Sequence, residues 1–133
     1  MTKFSRTSFY NKVEACFFIL FYFNGGVFMS VEISVNGEVT TAYISGELDH
    51  HSASSIRNAI DNAVELNMPS LLILDFTRVS FMDSSGIGLV MGRYRNLSRH
   101  GGKLHITGTS PQIYKVMKLS GMEKLATIDE CKK

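Results

Sequence analysis

The alternation of apolar and polar residues predicts several short strands along the chain. Residues 31–35 and 39–44 have the pattern of two strands around Asn36-Gly37, a dipeptide that favours tight β-hairpin turns. Residues 71–75 form a continuous apolar run that ends in a charge, which is typical of a central parallel strand buried on both faces. We predict two further strands, over residues 103–107 and 125–128.

Apolar residues at spacings of three and four predict three helices between these strands. The residues expected to face the core are Ile56, Ala59, Ile60, Ala63 and Val64 in the first helix, Ile87, Val90, Met91, Tyr94 and Leu97 in the second, and Ile113, Val116 and Met117 in the third. Arg93, Arg95 and Arg99 should lie in solvent. The helices are expected to end at Met68-Pro69-Ser70, Gly101-Gly102 and Gly121, and Ser110-Pro111 should begin the third.

Strands that alternate with helices indicate an α/β fold. We predict a single domain whose mixed, mostly parallel sheet has helices packed on it and right-handed crossovers. The pattern also predicts a loop over residues 46–51 and an irregular connection over residues 76–82.

The second helix begins with a feature that carries chemistry. Asp83 is a natural N-cap, because its carboxylate can accept hydrogen bonds from the free amides of the first turn. Ser84 then occupies the first helical position. A phosphate there would add about −1.5 to −2 charges beside the positive end of the helix dipole, so we expect a phosphorylated domain to stay folded.

The charge balance excludes one class of partner. The net charge of +2 arises in residues 1–28, and the rest of the chain has equal numbers of basic and acidic residues. Because no basic stripe with interleaved aromatic residues is present, no nucleic-acid partner is expected. Cys16 and Cys131 lack the spacing of a metal site, and the adjacent His50 and His51 have no third ligand at a suitable spacing. We therefore predict no metal, no cofactor and a reducing, cytoplasmic location.

The amino-terminal segment, residues 1–28, is treated as an extension of a domain that covers residues 29–133. Its nine-residue apolar run, residues 15–23, is far shorter than the roughly 20 residues that span a bilayer. Three interpretations stay open: translation that begins at Met29, with the Gly25-Gly26 codons forming part of a ribosome-binding site, a disordered extension, or a membrane-contacting or export segment. No membrane partner is expected for the domain itself.

Four motifs together resemble one family. They are Gly46-Glu47-Leu48-Asp49-His50-His51, Ser80-Phe81-Met82-Asp83-Ser84-Ser85-Gly86, Gly92-Arg93-Tyr94 and Ser120-Gly121-Met122. With this combination the chain resembles the STAS-domain anti-sigma factor antagonists of the sporulation type, over about residues 31–128.

The resemblance implies a protein that switches partners and catalyses nothing itself. In that family the unphosphorylated antagonist binds a serine kinase that doubles as an anti-sigma factor, and the sigma factor is released to act in transcription. The kinase uses ATP to phosphorylate the serine that matches Ser84, and a metal-dependent serine phosphatase reverses the reaction. Asp49 matches a loop carboxylate near that serine, and Asp83, Ser85 and Gly86 frame it.

A flat surface is expected next to Ser84. Gly88 and Gly92 lie one turn apart on the same helix face and near Leu89. Since glycine lets another backbone approach closely, we assign Gly88, Gly92 and the neighbouring Leu89 to partner binding.

Three other functions fit the sequence less well. A hydrolase with Ser84 as nucleophile and His105 as base lacks the G-x-S-x-G elbow, because Met82 occupies the first glycine position. A receiver domain phosphorylated on Asp75 would need an early acidic pair and a late lysine that are not recognisable here. A third alternative keeps the fold but makes the domain a scaffold subunit of a stress-signalling or transporter complex.

Overall fold

The computed structural model describes residues 15–23 and 26–129, which form one sheet with helices. The strands are β1 (Ala15–Phe23), β2 (Gly26–Asn36), β3 (Val39–Leu48), β4 (Leu71–Met82), β5 (Lys103–Thr107) and β6 (Thr127–Ile128). The helices are α1 (His50–Asn67), α2 (Ser84–Ser98) and α3 (Pro111–Leu119), followed by a short 3-10 helix over Met122–Lys124. The predicted order of elements from residue 31 onward is confirmed.

The strands follow one another across the sheet in chain order, from β1 to β6. β1, β2 and β3 pair antiparallel, and a turn of Gly37 and Glu38 joins β2 to β3. The remaining neighbours, β3 with β4, β4 with β5 and β5 with β6, pair parallel. The predicted mixed, mostly parallel α/β sheet is therefore correct.

The core lies on one face of this sheet. Alternate strand residues are buried there, among them Ile33, Ile44, Leu74 and Ile106, and the inward stripes of the helices belong to the same cluster. The predicted stripe of α1 is confirmed, because Ile56, Ala59, Ile60, Ala63 and Val64 are all buried. In α3, Ile113 and Met117 are buried, but Val116 is 43% exposed, so its inward assignment was wrong.

Two predicted irregular segments are in fact parts of strands. β4 continues from Asp75 to Met82, because its later half pairs in parallel with β3 as far as Leu48. β3 correspondingly extends through residues 46–48, and α1 begins at His50, so residues 46–51 form no loop. From Leu71 to Phe76 only every second residue of β4 is buried, so the predicted burial of this strand on both faces was wrong.

The second helix is rotated from its predicted orientation. Gly86, Leu89, Val90, Arg93 and Leu97 form its buried face, whereas Ile87, Met91 and Tyr94 are half-buried. The solvent position predicted for Arg93 is wrong, since the residue is only 6% exposed. Its guanidinium Nε lies 2.8 Å from Asp61 Oδ1 of α1 in an ion pair, although the N–H direction does not meet hydrogen-bond geometry.

The apolar run near the amino terminus is strand β1, which pairs with β2 from Ala15 opposite Val35 to Phe23 opposite Gly26. This pairing was not predicted from the sequence. Residues 1–14 and 24–25 lie outside the described part, so the expectations about them, and about Cys131, stay predictions. In the described ranges no helix has the length and hydrophobicity needed to cross a bilayer.

Gly108 follows β5 and packs closely against Thr77 of β4, and this contact supports a stability prediction. Its φ is +77°, and an added Cβ would lie 2.8 Å from the backbone nitrogen of Thr77 and closer still to its hydroxyl. Gly101 has a similar φ of +79° but no atom within 4 Å of the same position. We expect Gly101→Ala to cost about 0.5–1 kcal/mol and Gly108→Ala about 2 kcal/mol in chemical unfolding, because only the second adds a backbone clash to the strain. Equal losses would contradict the close approach.

Candidate functional site

Two helix amino termini lie side by side at the carboxyl edge of the parallel strands. Leu48 ends β3 and Met82 ends β4, and these residues are partners in the parallel register. Asp49 follows the first strand and Asp83 the second, and each caps the next helix. The Asp83 amide donates to the Leu48 carbonyl at 3.3 Å, which ties the two turns together. This edge brings the predicted residues Asp49, Asp83 and Ser84 into one region.

Ser84 occupies the first position of α2 and is exposed. The Asp83 carboxylate accepts from the Ser85 amide at 2.8 Å, and the Asp83 carbonyl accepts from the Gly86 amide at 2.9 Å. Both predictions, Asp83 as the N-cap and Ser84 as the first helical residue, are confirmed. Ser85 is half-buried, so Ser84 is the more accessible of the two adjacent hydroxyls.

Asp49 caps α1 through a reciprocal set of hydrogen bonds. Its carboxylate accepts from the amides of His51 at 2.9 Å and Ser52 at 3.1 Å, while the Ser52 hydroxyl accepts from the Asp49 amide. Desolvation raises the pKa of Asp49, but the hydrogen bonds from Ser52 and His51 outweigh it, so the pKa lies below its ordinary value. Asp49 is therefore a fixed carboxylate at this edge of the sheet at neutral pH.

The lowered pKa of Asp49 predicts how the contribution of this residue to folding stability changes with pH. A carboxyl whose pKa is depressed by folding contributes stability above its unfolded pKa, and the contribution is lost as the pH falls through the folded value. We expect Asp49→Asn, which keeps a capping oxygen, to be about 0.3–1 kcal/mol less stable than the wild type at pH 7. The difference should shrink below about pH 4 in urea titrations. A pH-independent difference would contradict this role of the charge.

The predicted glycine surface is only partly exposed. Gly88 is exposed and Gly92 half-buried, and a Cβ at either would meet no atom within 4 Å. Leu89 is only 4% exposed and belongs to the core, so its predicted place in this surface is wrong. Gly86 is also buried. An added Cβ there would overlap the Met82 side chain and lie 3.2 Å from the Leu48 side chain. Gly86 allows α2 to pack closely on the ends of β3 and β4.

Phe81 is a feature of the site that the sequence analysis did not assign. It lies one residue before the end of β4, opposite Glu47 in the register, and is 49% exposed. Its position beside the buried Met82 follows from the strand conformation of residues 76–82, for which an irregular connection is predicted from the sequence. An exposed aromatic ring three residues before Ser84 in the chain is a suitable contact for a protein partner.

Two alternative sites receive no support from the geometry. Asp75 lies well inside β4 and not at the strand end, and its carboxylate accepts from the Thr77 amide at 2.9 Å. Asp75 therefore does not occupy the strand-end position that the phosphorylated aspartate of a receiver domain requires. His50 and His51 begin α1 with their rings edge to face, and no group of three metal-ligating side chains occurs in the part of the chain described.

Comparisons with known proteins agree with this arrangement. The sequence model of the STAS domain family matches residues 30–131 of this chain. An anti-sigma F factor antagonist of Paenibacillus polymyxa is 30% identical over 100 residues, covering 75% of this chain and 86% of the relative. The anti-sigma F factor antagonist of Lysinibacillus sphaericus is 39% identical over 88 residues, covering 66% of this chain and 75% of the relative.

Two solved structures extend the likeness to three dimensions. The anti-sigma factor antagonist SpoIIAA in its unphosphorylated form is 36% identical, with a TM-score of 0.65 over 77% of this chain and 88% of that one. The Bacillus cell fate determinant SpoIIAA in the phosphorylated form is also 36% identical, with a TM-score of 0.60 over 77% of this chain and 91% of that one. The chain therefore belongs to the STAS-domain family of anti-sigma factor antagonists.

Proposed function

We propose that this protein is an anti-sigma factor antagonist that acts in the cytoplasm and catalyses no reaction itself. Its unphosphorylated form binds an anti-sigma factor, and this binding frees a sigma factor for transcription. The names of the relatives support this role, because those from Paenibacillus polymyxa and Lysinibacillus sphaericus are both antagonists of an anti-sigma F factor. A link to sporulation follows from the same relatives and from SpoIIAA.

Ser84 is the proposed switch, and its exposed position at the start of α2 is the observation that carries the proposal. The bound anti-sigma factor is a serine kinase that transfers the terminal phosphate of ATP to the Ser84 hydroxyl, and a serine phosphatase removes it. A relative solved in both unphosphorylated and phosphorylated forms supports a phosphorylation cycle. The partner surface comprises Asp49, Asp83, Ser85, Gly88 and Gly92, with Gly86 shaping the turn.

Electrostatics explains how a phosphate could act at this position without unfolding the domain. The free amides at the start of α2 carry a partial positive charge that favours an anion, while the Asp83 carboxylate opposes it. The two effects offset each other within the protein. A partner that closes over the same surface must instead desolvate a doubly charged group, which is costly without a counter-charge.

The scaffold role remains the second candidate, since the same fold supports it. A scaffold subunit would bind its complex whether or not Ser84 is modified. A switching antagonist would bind its partner only when Ser84 is free. The two functions therefore differ in one measurable property, the dependence of binding on phosphorylation.

The first test is the intact mass of the full chain after incubation with ATP and the anti-sigma kinase of the same organism. We expect one added phosphate on the wild type and on Ser85→Ala, and none on Ser84→Ala. Ser85→Ala is the matched control, because it removes the adjacent hydroxyl of the same turn. A phosphate on Ser84→Ala, or none on any variant with an active kinase, would refute Ser84 as the acceptor.

A further inference from the structure

Strand β1 forms one edge of the sheet, and its outer side has no partner strand in the described part of the chain. Exposed edge strands present unpaired backbone groups, and proteins usually protect them with charges, prolines or short length. β1 has none of these protections. Its nine residues, Ala15–Phe23, include neither a charge nor a proline.

The hairpin turn determines which backbone groups of β1 face outward. Because a two-residue turn joins Asn36 to Val39, these residues form the closing hydrogen-bonded pair, and every second residue of β2 then bonds to β3. The intervening residues of β2, such as Ile33 and Val31, direct their backbone groups towards β1. Their partners there are Phe17 and Ile19.

The alternation along β1 leaves three residues with backbone N–H and C=O groups at the free edge, namely Cys16, Phe18 and Leu20. All three lie before the irregularity in register between Phe21 and Tyr22. They provide an uninterrupted set of donors and acceptors for another strand.

We propose that this edge is a homodimer interface, in which β1 pairs antiparallel with β1 of a second copy about a two-fold axis at Phe18. In that register Phe18 faces Phe18 of the second copy, and Cys16 faces Leu20 on either side. All three outward-facing residues are then in hydrogen-bonded pairs, each of which exchanges two backbone bonds. The result is a continuous sheet through both copies.

A second copy fits this edge better than an unrelated strand for two reasons. Two uncharged strands meet without like-charge repulsion, and a two-fold pairing uses the outer edge of β1 in both copies at once. At about 3.3 Å per residue each edge is roughly 30 Å long. The inference is independent of the proposed function, because Ser84 follows β4 and stays accessible in such a dimer.

Light scattering of the full chain after size-exclusion chromatography tests the interface. We expect the wild type at micromolar concentration to have twice the 14.8 kDa mass of one chain. Phe18→Pro removes an outward N–H without touching the bonds to β2, and it should weaken dimerisation on the order of 100-fold. Phe18→Thr keeps the N–H and should remain dimeric. A monomeric wild type, or a dimeric Phe18→Pro, would overturn the proposal.

A charge exchange tests the register without relying on proline. Phe18→Lys and Phe18→Asp should each be monomeric, because identical charges would face each other across the axis. An equimolar mixture of the two should form a heterodimer, since position 18 then pairs opposite charges. Thermal melts of each variant establish that it is folded. Homodimers of the single variants, or a mixture of folded variants that stays monomeric, would refute pairing at position 18.

Discussion

Phosphorylated protein is expected to bind the anti-sigma factor at least about 100-fold more weakly than the unphosphorylated form. Ser84 is exposed at the start of α2, beside Asp83 and close to the open surface at Gly88. A partner that covers this surface would bury a group of about −1.5 to −2 charges. A loss of about 2.7 kcal/mol gives the 100-fold change, which is modest compared with the desolvation of an unpaired charge. Isothermal titration of the two forms, with matched nucleotide, measures the difference.

Two variants separate charge from shape in this experiment. Ser84→Ala removes only a hydroxyl and should bind nearly as tightly as the wild type. Gly88→Gln places an uncharged side chain where a Cβ now has no neighbours, so the fold should tolerate it while partner binding weakens. Thermal melts of the phosphorylated form should show little loss of stability. Unchanged binding after phosphorylation would refute exclusion and favour the scaffold role.

The start of α2 was predictable from sequence because its determinants are local. An aspartate before the helix and a serine at its first position are recognised within a few residues of chain. The hairpin after Asn36 and the caps at Met68 and Ser110 are local in the same sense. No distant contact is needed to specify any of them.

The errors arose where a distant partner decides the structure. Thr77, Arg78 and Ser80 make the second half of β4 resemble a loop, yet pairing with β3 keeps it extended to Met82. Strand β1 was also missed, because residues 15–23 were interpreted only as an apolar run of the amino-terminal extension, and the pairing of this run with β2 makes it a strand. In the site, Leu89 is buried because α2 packs on the core, and Phe81 is exposed near the end of β4. Neither position is decided by neighbouring residues of the chain alone.

Arg93 is the clearest case, because its environment depends on a different helix. Helical spacing alone placed it in solvent, but α2 packs against α1 and brings it to Asp61. Its Nη1 also donates to the Leu89 carbonyl at 3.2 Å, and Asn96 donates to the same Asp61 oxygen. Burial lowers the pKa of Arg93, which Asp61 partly counteracts, while the nearby Arg57 lowers it further. The guanidinium is thus a buried cation held by one carboxylate.

The two partners of this ion pair should therefore not be equivalent when they are replaced. The Arg93 side chain is 7% exposed and that of Asp61 is 27% exposed. Asp61→Asn leaves a buried guanidinium without a counter-charge, whereas Arg93→Met leaves a carboxylate that water can reach. We expect Asp61→Asn to cost about 3 kcal/mol and Arg93→Met about 1 kcal/mol or less in urea unfolding, because an unpaired buried charge is costlier than a lost ion pair.

The double variant distinguishes this explanation from a simple loss of one contact. If the cost of Asp61→Asn comes from the stranded Arg93 charge, then adding Arg93→Met should restore most of the lost stability. Asp61→Asn with Arg93→Met should then be close to Arg93→Met alone, and the cycle should be strongly non-additive. Equal and additive losses would instead mean that the two side chains contribute separately to the packing of α1 on α2, and that the buried cation is solvated in some other way.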